Sequence, residues 1–384
     1  MFSRRTEWSL TPNRLTLVHQ EALASGKQII DLTISNPTRA ELKYDESAIL
    51  HALNNPSALD YDPQPKGLRS AREAVASYYS PAVDLEFLIL ATSTSEGYSF
   101  VFRLLCNPGD EILVPKPSYP LFDFLAELQD VSLVPYSLIY DHGWQIDFHS
   151  LENAITQKSR GIVLVHPNNP TGSYVSLDER QHLNELCREH KLALIVDEVF
   201  LDYSHGKTQS TFASDRDALT FTLSGISKIS ALPQMKLAWI AVSGPPAEVV
   251  PAMQRLEVIA DTYLSLNSPV QLAAPVLLDQ RKTIQPQLMS RVRANLTELD
   301  RQLARQKSCS RLEVQGGWYA VLRIPVIRSD EDFAIELLQR SGVLVHPGHF
   351  YDFPSDGYLV LSLIAIEEEF RSGVSATLQF ANTL

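Results

Sequence analysis

The chain has 384 residues and a formal net charge of −12, with 45% hydrophobic and 20% charged residues. That length predicts roughly two to three domain-sized units, and the apolar share predicts a folded core rather than a disordered chain. The acidic balance argues against nucleic acid or an anionic membrane as partner, since both need a basic footprint.

Cys106, Cys187 and Cys309 lie far apart without metal-ligand or disulfide spacing, and the first ten residues lack the apolar stretch of a signal peptide. No apolar run approaches the length of a membrane span. The expectation is a soluble, cytoplasmic protein.

In chain order, short apolar runs lead into polar clusters and then helix-like stretches. EFLIL (86–90) precedes STSEG and YSFVFRLL, EILVP (111–115) precedes KPSYP and LFDFLAEL, and GIVLV (161–165) precedes HPNNPTG and a predicted helix at 177–190. LALIV (192–196) precedes DEVF, and LTFTL (219–223) precedes SGISK. This alternation predicts βα units, a largely parallel sheet, and a ligand site beyond the carboxyl ends of its strands. The polar clusters all fall at those ends, so one composite site is expected.

Further on, 286–306 predicts a long amphipathic helix, followed by strands within 312–325, 342–348 and 357–363. The expected organisation is therefore α/β. An arm over 1–44 joins a smaller α+β domain over 276–384, and a large domain over 45–275 carries a mainly parallel central sheet flanked by helices.

Four clusters carry chemistry. Lys228 closes SGISK, and a lysine in an enclosed site can lose its proton and add to an aldehyde. Asp197 follows a strand, and a carboxylate beside a pyridine nitrogen keeps that nitrogen protonated, so that the ring accepts electrons from a substrate α-carbon. HPNNPTG is a turn that presents Asn169 as a hydrogen-bonding group. STSEG sets Ser93 and Glu96 at capping-box spacing, leaving backbone N–H groups and the hydroxyls of Thr94 and Ser95 for a phosphate. Singly, these have plain readings as a surface lysine, a solvated strand end, a turn and a helix cap.

Their order gives them weight. STSEG, NNPTG, DE and SxSK resemble the class I/II aminotransferases of the fold-type-I superfamily, which depends on pyridoxal 5'-phosphate (PLP). The resemblance begins near SNPT (35–38) and Y-x-P-x-x-x-G (61–67) and extends to PG (347–348) and GYLVLS (357–362). It implies a PLP-dependent aminotransferase that moves an amino group between an amino acid and a 2-oxo acid. Lys228 is then the Schiff-base lysine and acid/base, Asp197 the partner of the pyridine nitrogen, and Asn169 the partner of the ring oxygen. Tyr119 stacks on the cofactor, Thr94, Ser95 and Ser227 contact its phosphate, and Tyr61 reaches the phosphate of a neighbouring subunit in a homodimer with shared sites. Asn36 and Asn169 are expected near the substrate.

Three positions depart from the family pattern. Lys236 stands where a phosphate-binding arginine is usual, keeping the charge without the two-pronged fork. Phe200 replaces a tyrosine that donates to the ring oxygen, and Val360 replaces the arginine that clamps the substrate carboxylate, for which Arg39 is the candidate substitute. These departures keep two alternatives open: a PLP-dependent lyase, decarboxylase or cyclase, and a non-catalytic PLP-binding regulatory protein. The histidines form no metal-binding set, and His346 and His349 fall in a Pro-Gly turn.

Overall fold

The computed structural model describes residues 1–120, 122–206 and 209–383. Leu121, which opens the expected LFDFLAEL helix, and Leu384 lie outside them.

Eight strands form the larger sheet: β1 (Leu88–Ala91), β2 (Glu111–Lys116), β3 (Ser132–Tyr140), β4 (Trp144–Ile146), β5 (Ser159–Val165), β6 (Ala193–Asp197), β7 (Thr220–Gly225) and β8 (Ala238–Ser243). Their spatial order is β1-β8-β7-β6-β5-β2-β3-β4. The stretch from β7 to β3 is parallel throughout, while β8 runs antiparallel to both its neighbours and β4 pairs antiparallel with β3.

Alternate residues serve opposite faces. Val163, Ile195, Phe221 and Ile240 pack on one side with α1 (Thr94–Leu105). Ile162, Leu164, Leu194 and Val196 pack on the other with α2 (Leu177–His190). A sheet covered on both faces needs strands apolar on both sides, which is why these runs read as continuous hydrophobic stretches. The five expected strands and the 177–190 helix are all present. Strands β3, β4 and β8 were not anticipated.

A second, antiparallel sheet has the order β9 (Ser310–Arg311), β10 (Tyr319–Arg323), β12 (Tyr358–Ser362), β11 (His346–Pro347). The long helix, α4 (Arg281–Leu303), begins ahead of the expected 286 and carries Pro286 inside it. Early in the chain, Ile30–Asp31 pairs in parallel with Val343–Leu344. Leu15 and Leu32 share a hydrophobic cluster with the strands of the second sheet. Among the described residues no helix is long and apolar enough to cross a membrane.

From β2 the chain winds outward to β4, and from β5 it winds the opposite way to β8. Ligands in open sheets collect at the carboxyl ends beside such a reversal.

Candidate active site

A cavity of about 160 Å³ lies at those ends. Six of the expected residues line it: Thr94, Tyr119, Asn169, Asp197, Ser227 and Lys228. Thr94, Tyr119 and Asn169 follow three different strand tips, Asp197 ends β6, and Ser227 and Lys228 share the short helix α3 (Ile226–Ile229).

At the start of α1, the Ser93 hydroxyl accepts from the Glu96 amide at 3.1 Å. The Glu96 carboxylate turns to Thr92, taking its amide at 2.7 Å and its hydroxyl at 3.0 Å. The amides of Thr94 and Ser95 donate to no acceptor among the described residues. They are the orphan donors of a helix N-terminus, where an anion is favoured.

The NNPTG turn is fixed through its first asparagine. Asn168 donates to the Pro117 carbonyl at 3.0 Å and to the Thr171 hydroxyl at 2.9 Å, and accepts from the Ser118 hydroxyl at 3.0 Å. This ties the loop carrying Tyr119 to the one carrying Asn169. The Asn169 amide oxygen is buried with no hydrogen-bond partner among the described residues. Such a group signals a missing ligand atom or water.

Asp197 accepts from the Val199 amide at 3.1 Å and from the Tyr98 hydroxyl at 3.3 Å. Burial pushes its carboxyl up to about 6, against the pull of those bonds and of the Lys228 charge. Burial pushes the Lys228 amine down to about 8, opposed by Asp197. The amine donates to the Ser35 carbonyl at 3.2 Å and stands 5.2 Å from the ring centre of Trp318 and 5.7 Å from that of Phe200. Its backbone is held from three sides: Tyr203 donates to the Lys228 carbonyl at 2.5 Å, Gln285 to that of Ile229 at 3.0 Å, and Tyr44 to that of Ala231 at 2.8 Å.

The remaining expected residues do not line the cavity. Ser95 is half-buried on α1, and Lys236 is exposed in a left-handed conformation with φ 55°. Tyr61 is 81% exposed and lines a separate cleft with Gly67 and Ser265. Asn36 uses its side chain on Thr38, at 3.1 Å to the amide and 2.8 Å to the hydroxyl. Arg39 is exposed, its side chain makes no hydrogen bond or ion pair among the described residues, and it does not line the cavity. Val360 is buried on β12 between Val321 and His346, whose Nδ1 lies 3.0 Å from the Tyr351 hydroxyl.

The site also draws on residues that sequence reasoning missed, some in the cavity wall and some behind it. Ser35 acts through its carbonyl and Tyr203 through a contact with backbone, neither of which a side-chain pattern reveals. Tyr98 sat within the apolar YSFVFRLL stretch, which reads as core. Tyr319, in GGWYA, is buried and lines the cavity from β10. Phe200, noticed only as a departure, lines it too.

A sheet of this topology with a half-buried lysine and aspartate lining one cavity at its strand tips defines a class of enzyme that works through a reactive amine. The chain belongs to the class I and II aminotransferase family, whose model matches residues 27–365. It is 29% identical over 364 residues to alanine aminotransferase of Mycobacterium tuberculosis, covering 90% of this chain and 84% of that protein. It is 26% identical over 379 residues to glutamate-pyruvate aminotransferase AlaA of Haemophilus influenzae, covering 94% of each. Among solved structures, alanine aminotransferase from Pyrococcus furiosus superposes with a TM-score of 0.90 at 21% identity over 100% of both chains. An Escherichia coli aminotransferase gives 0.87 at 24% identity over 100% of this chain and 98% of that one. The shared shape shows the fold-type-I architecture.

The chain is thus an aminotransferase, and its family uses PLP. The residues present fit that cofactor: an Asn169 side-chain amide that lines the cavity and whose N–H donors have no partner among the described residues, free helix-terminal amides at Thr94 and Ser95, and a half-buried carboxylate beside a lysine of lowered pKa.

Proposed function

We propose that this chain holds PLP covalently on Lys228 and exchanges an amino group between an α-amino acid and a 2-oxo acid. The observation that carries the reading is the lysine itself, a half-buried amine pushed down to about 8 in a cavity shared with Asp197 and Asn169.

Bound there, the cofactor supplies an aldehyde that condenses with amines and a ring that draws electron density from the substrate α-carbon. Lys228 Nζ, uncharged above about pH 8, would hold the aldehyde and would move a proton at the substrate α-carbon. The Asp197 carboxylate would keep a proton on the ring nitrogen, and the Asn169 amide N–H would donate to the ring oxygen. The Thr94 and Ser95 amides with the Thr94 and Ser227 hydroxyls take the phosphate, Lys236 adds a cation nearby, and Tyr119 covers the ring face.

The reading includes a homodimer in which Tyr61 reaches the partner's phosphate site, consistent with its exposed phenol. It includes a large domain over 45–275, and a small one in which 1–44 joins 276–384, supported by the pairing of Ile30–Asp31 with Val343–Leu344. A cytoplasmic location accords with three free cysteines, and the net charge of −12 with the lack of a nucleic-acid role.

Borohydride reduction followed by peptide mapping tests the assignment. The pyridoxyl label should fall on the peptide containing Lys228 and vanish in Lys228→Ala, and a panel of amino acids should yield 2-oxo acids without ammonia or carbon dioxide. A label on another peptide, or none, overturns it.

A further inference from the structure

The groups just assigned to the cofactor sit at the tips of the larger sheet. The opposite wall of the cavity is formed by Ser35 and Tyr319. Tyr319 pairs with Ser362 across β10 and β12, and Ser362 binds the segment ahead of Ser35, donating its amide to the Leu32 carbonyl at 2.7 Å and its hydroxyl to the Ile34 carbonyl at 2.5 Å. One seam thus places the Tyr319 ring and the Ser35 carbonyl, which receives the Lys228 amine, side by side.

Tyr319 is only 7% exposed and its ring packs edge-on against Phe200, with centroids 6.3 Å apart. Its hydroxyl makes no hydrogen bond with any described residue. A phenol on a largely buried ring normally finds a partner, and this hydroxyl, which is not enclosed by protein, opens on the cavity where an entering ligand can meet it. Burial raises its pKa, which keeps it a donor rather than a phenolate. Lys228 is the only cation lining the cavity among the described residues, and it is committed to the covalent chemistry.

We infer that Tyr319 is a substrate-binding residue whose hydroxyl donates to the α-carboxylate of the amino acid, the place where this chain carries no arginine. The inference rests on the PLP reading above. A ligand seated between the strand tips and β10 presents its α-carbon to Lys228 and its carboxylate toward the second sheet, where Tyr319 is the cavity-lining donor among the described residues, the unpartnered Trp318 indole N–H lying outside the lining.

The test compares Tyr319→Phe with wild type, using the most reactive amino acid of the panel and its α-carboxamide, followed by the spectral change of the loaded enzyme. A hydrogen bond to a charged group is worth more than one to a neutral group. The half-saturating concentration should therefore rise about tenfold or more for the amino acid and much less for the amide, with the maximal rate changed far less than the affinity. Binding of a non-reactive monocarboxylate such as propionate, read from the same spectrum, should weaken in parallel. Equal shifts for acid and amide, or none, overturn the inference. A Tyr319→Phe protein that takes up no PLP also overturns it, by placing the hydroxyl on the cofactor. Absence of a reducible label at Lys228 in wild type is a separate result that removes the parent reading.

Discussion

Lys228 and Asp197 each pull the other toward the charged state while burial pushes both toward neutrality. The lysine amine becomes a nucleophile only as it loses its proton. The rate of PLP uptake by cofactor-free protein should climb about tenfold per pH unit below its inflection and level off above about pH 8. Stopped-flow absorbance across pH 6–10 checks this, and an inflection near the ordinary lysine value would contradict it. Asp197 has the opposite sign for stability. Its folded pKa is raised to about 6 from 3.8, so folding is penalised increasingly as pH rises through that interval, and by a constant amount above it. Asp197→Asn should stabilise the cofactor-free protein by about 1–2 kcal/mol at pH 7, with the gain fading toward pH 4, while lowering PLP affinity. Thermal melts with and without cofactor separate the two effects. At this scale the sequence was informative where chemistry resides in a distinctive side chain behind a strand, as at Lys228, Asp197 and Asn169. It was silent on Ser35, whose contribution is a carbonyl, and on Tyr98 and Tyr319, whose hydroxyls ride on rings that read as core.

Strands and turns account for how those side chains meet. The capping box at the start of α2 is complete: Ser176 accepts from the Glu179 amide at 3.2 Å, and Glu179 accepts from the Ser176 amide at 2.8 Å. That signal is purely local, and the helix bounds were correspondingly legible. By contrast β3 is partly exposed and contains Pro135, and β8 returns antiparallel where the βα rhythm breaks, so neither matched the pattern of the parallel strands. Proline favours a first turn, yet Pro286 sits inside a helix that begins at Arg281. Gly172 closes the NNPTG turn at φ +70°, and a Cβ there would stand 2.5 Å from the Gly316 carbonyl oxygen. Gly172→Ala should therefore destabilise by about 2–4 kcal/mol, combining an unfavourable backbone with overpacking. It should also weaken PLP binding by displacing Asn169, as denaturant melts and cofactor titration would show; an unchanged midpoint would contradict the close approach.

At the level of the whole molecule, the alternation of runs and helices conveyed the α/β class because a sheet buried on both faces leaves its imprint on every central strand. The proposed role of Tyr61 requires a second copy. If Tyr61 completes the partner's site, mixing Tyr61→Ala with Lys228→Ala subunits should restore activity in hybrid dimers, since one of the two sites then has both native residues. Activity no greater than the sum of the separate variants would show that each subunit is self-sufficient.

The cavity draws its walls from loops widely spaced along the chain, and any guest that touches them all acts as a keystone. Because such a guest recognises only the assembled form, mass action strengthens the fold, by about 2.7 kcal/mol at a hundredfold excess over its dissociation constant. Vitamin supply would then govern the heat tolerance and lifetime of this polypeptide as well as its turnover.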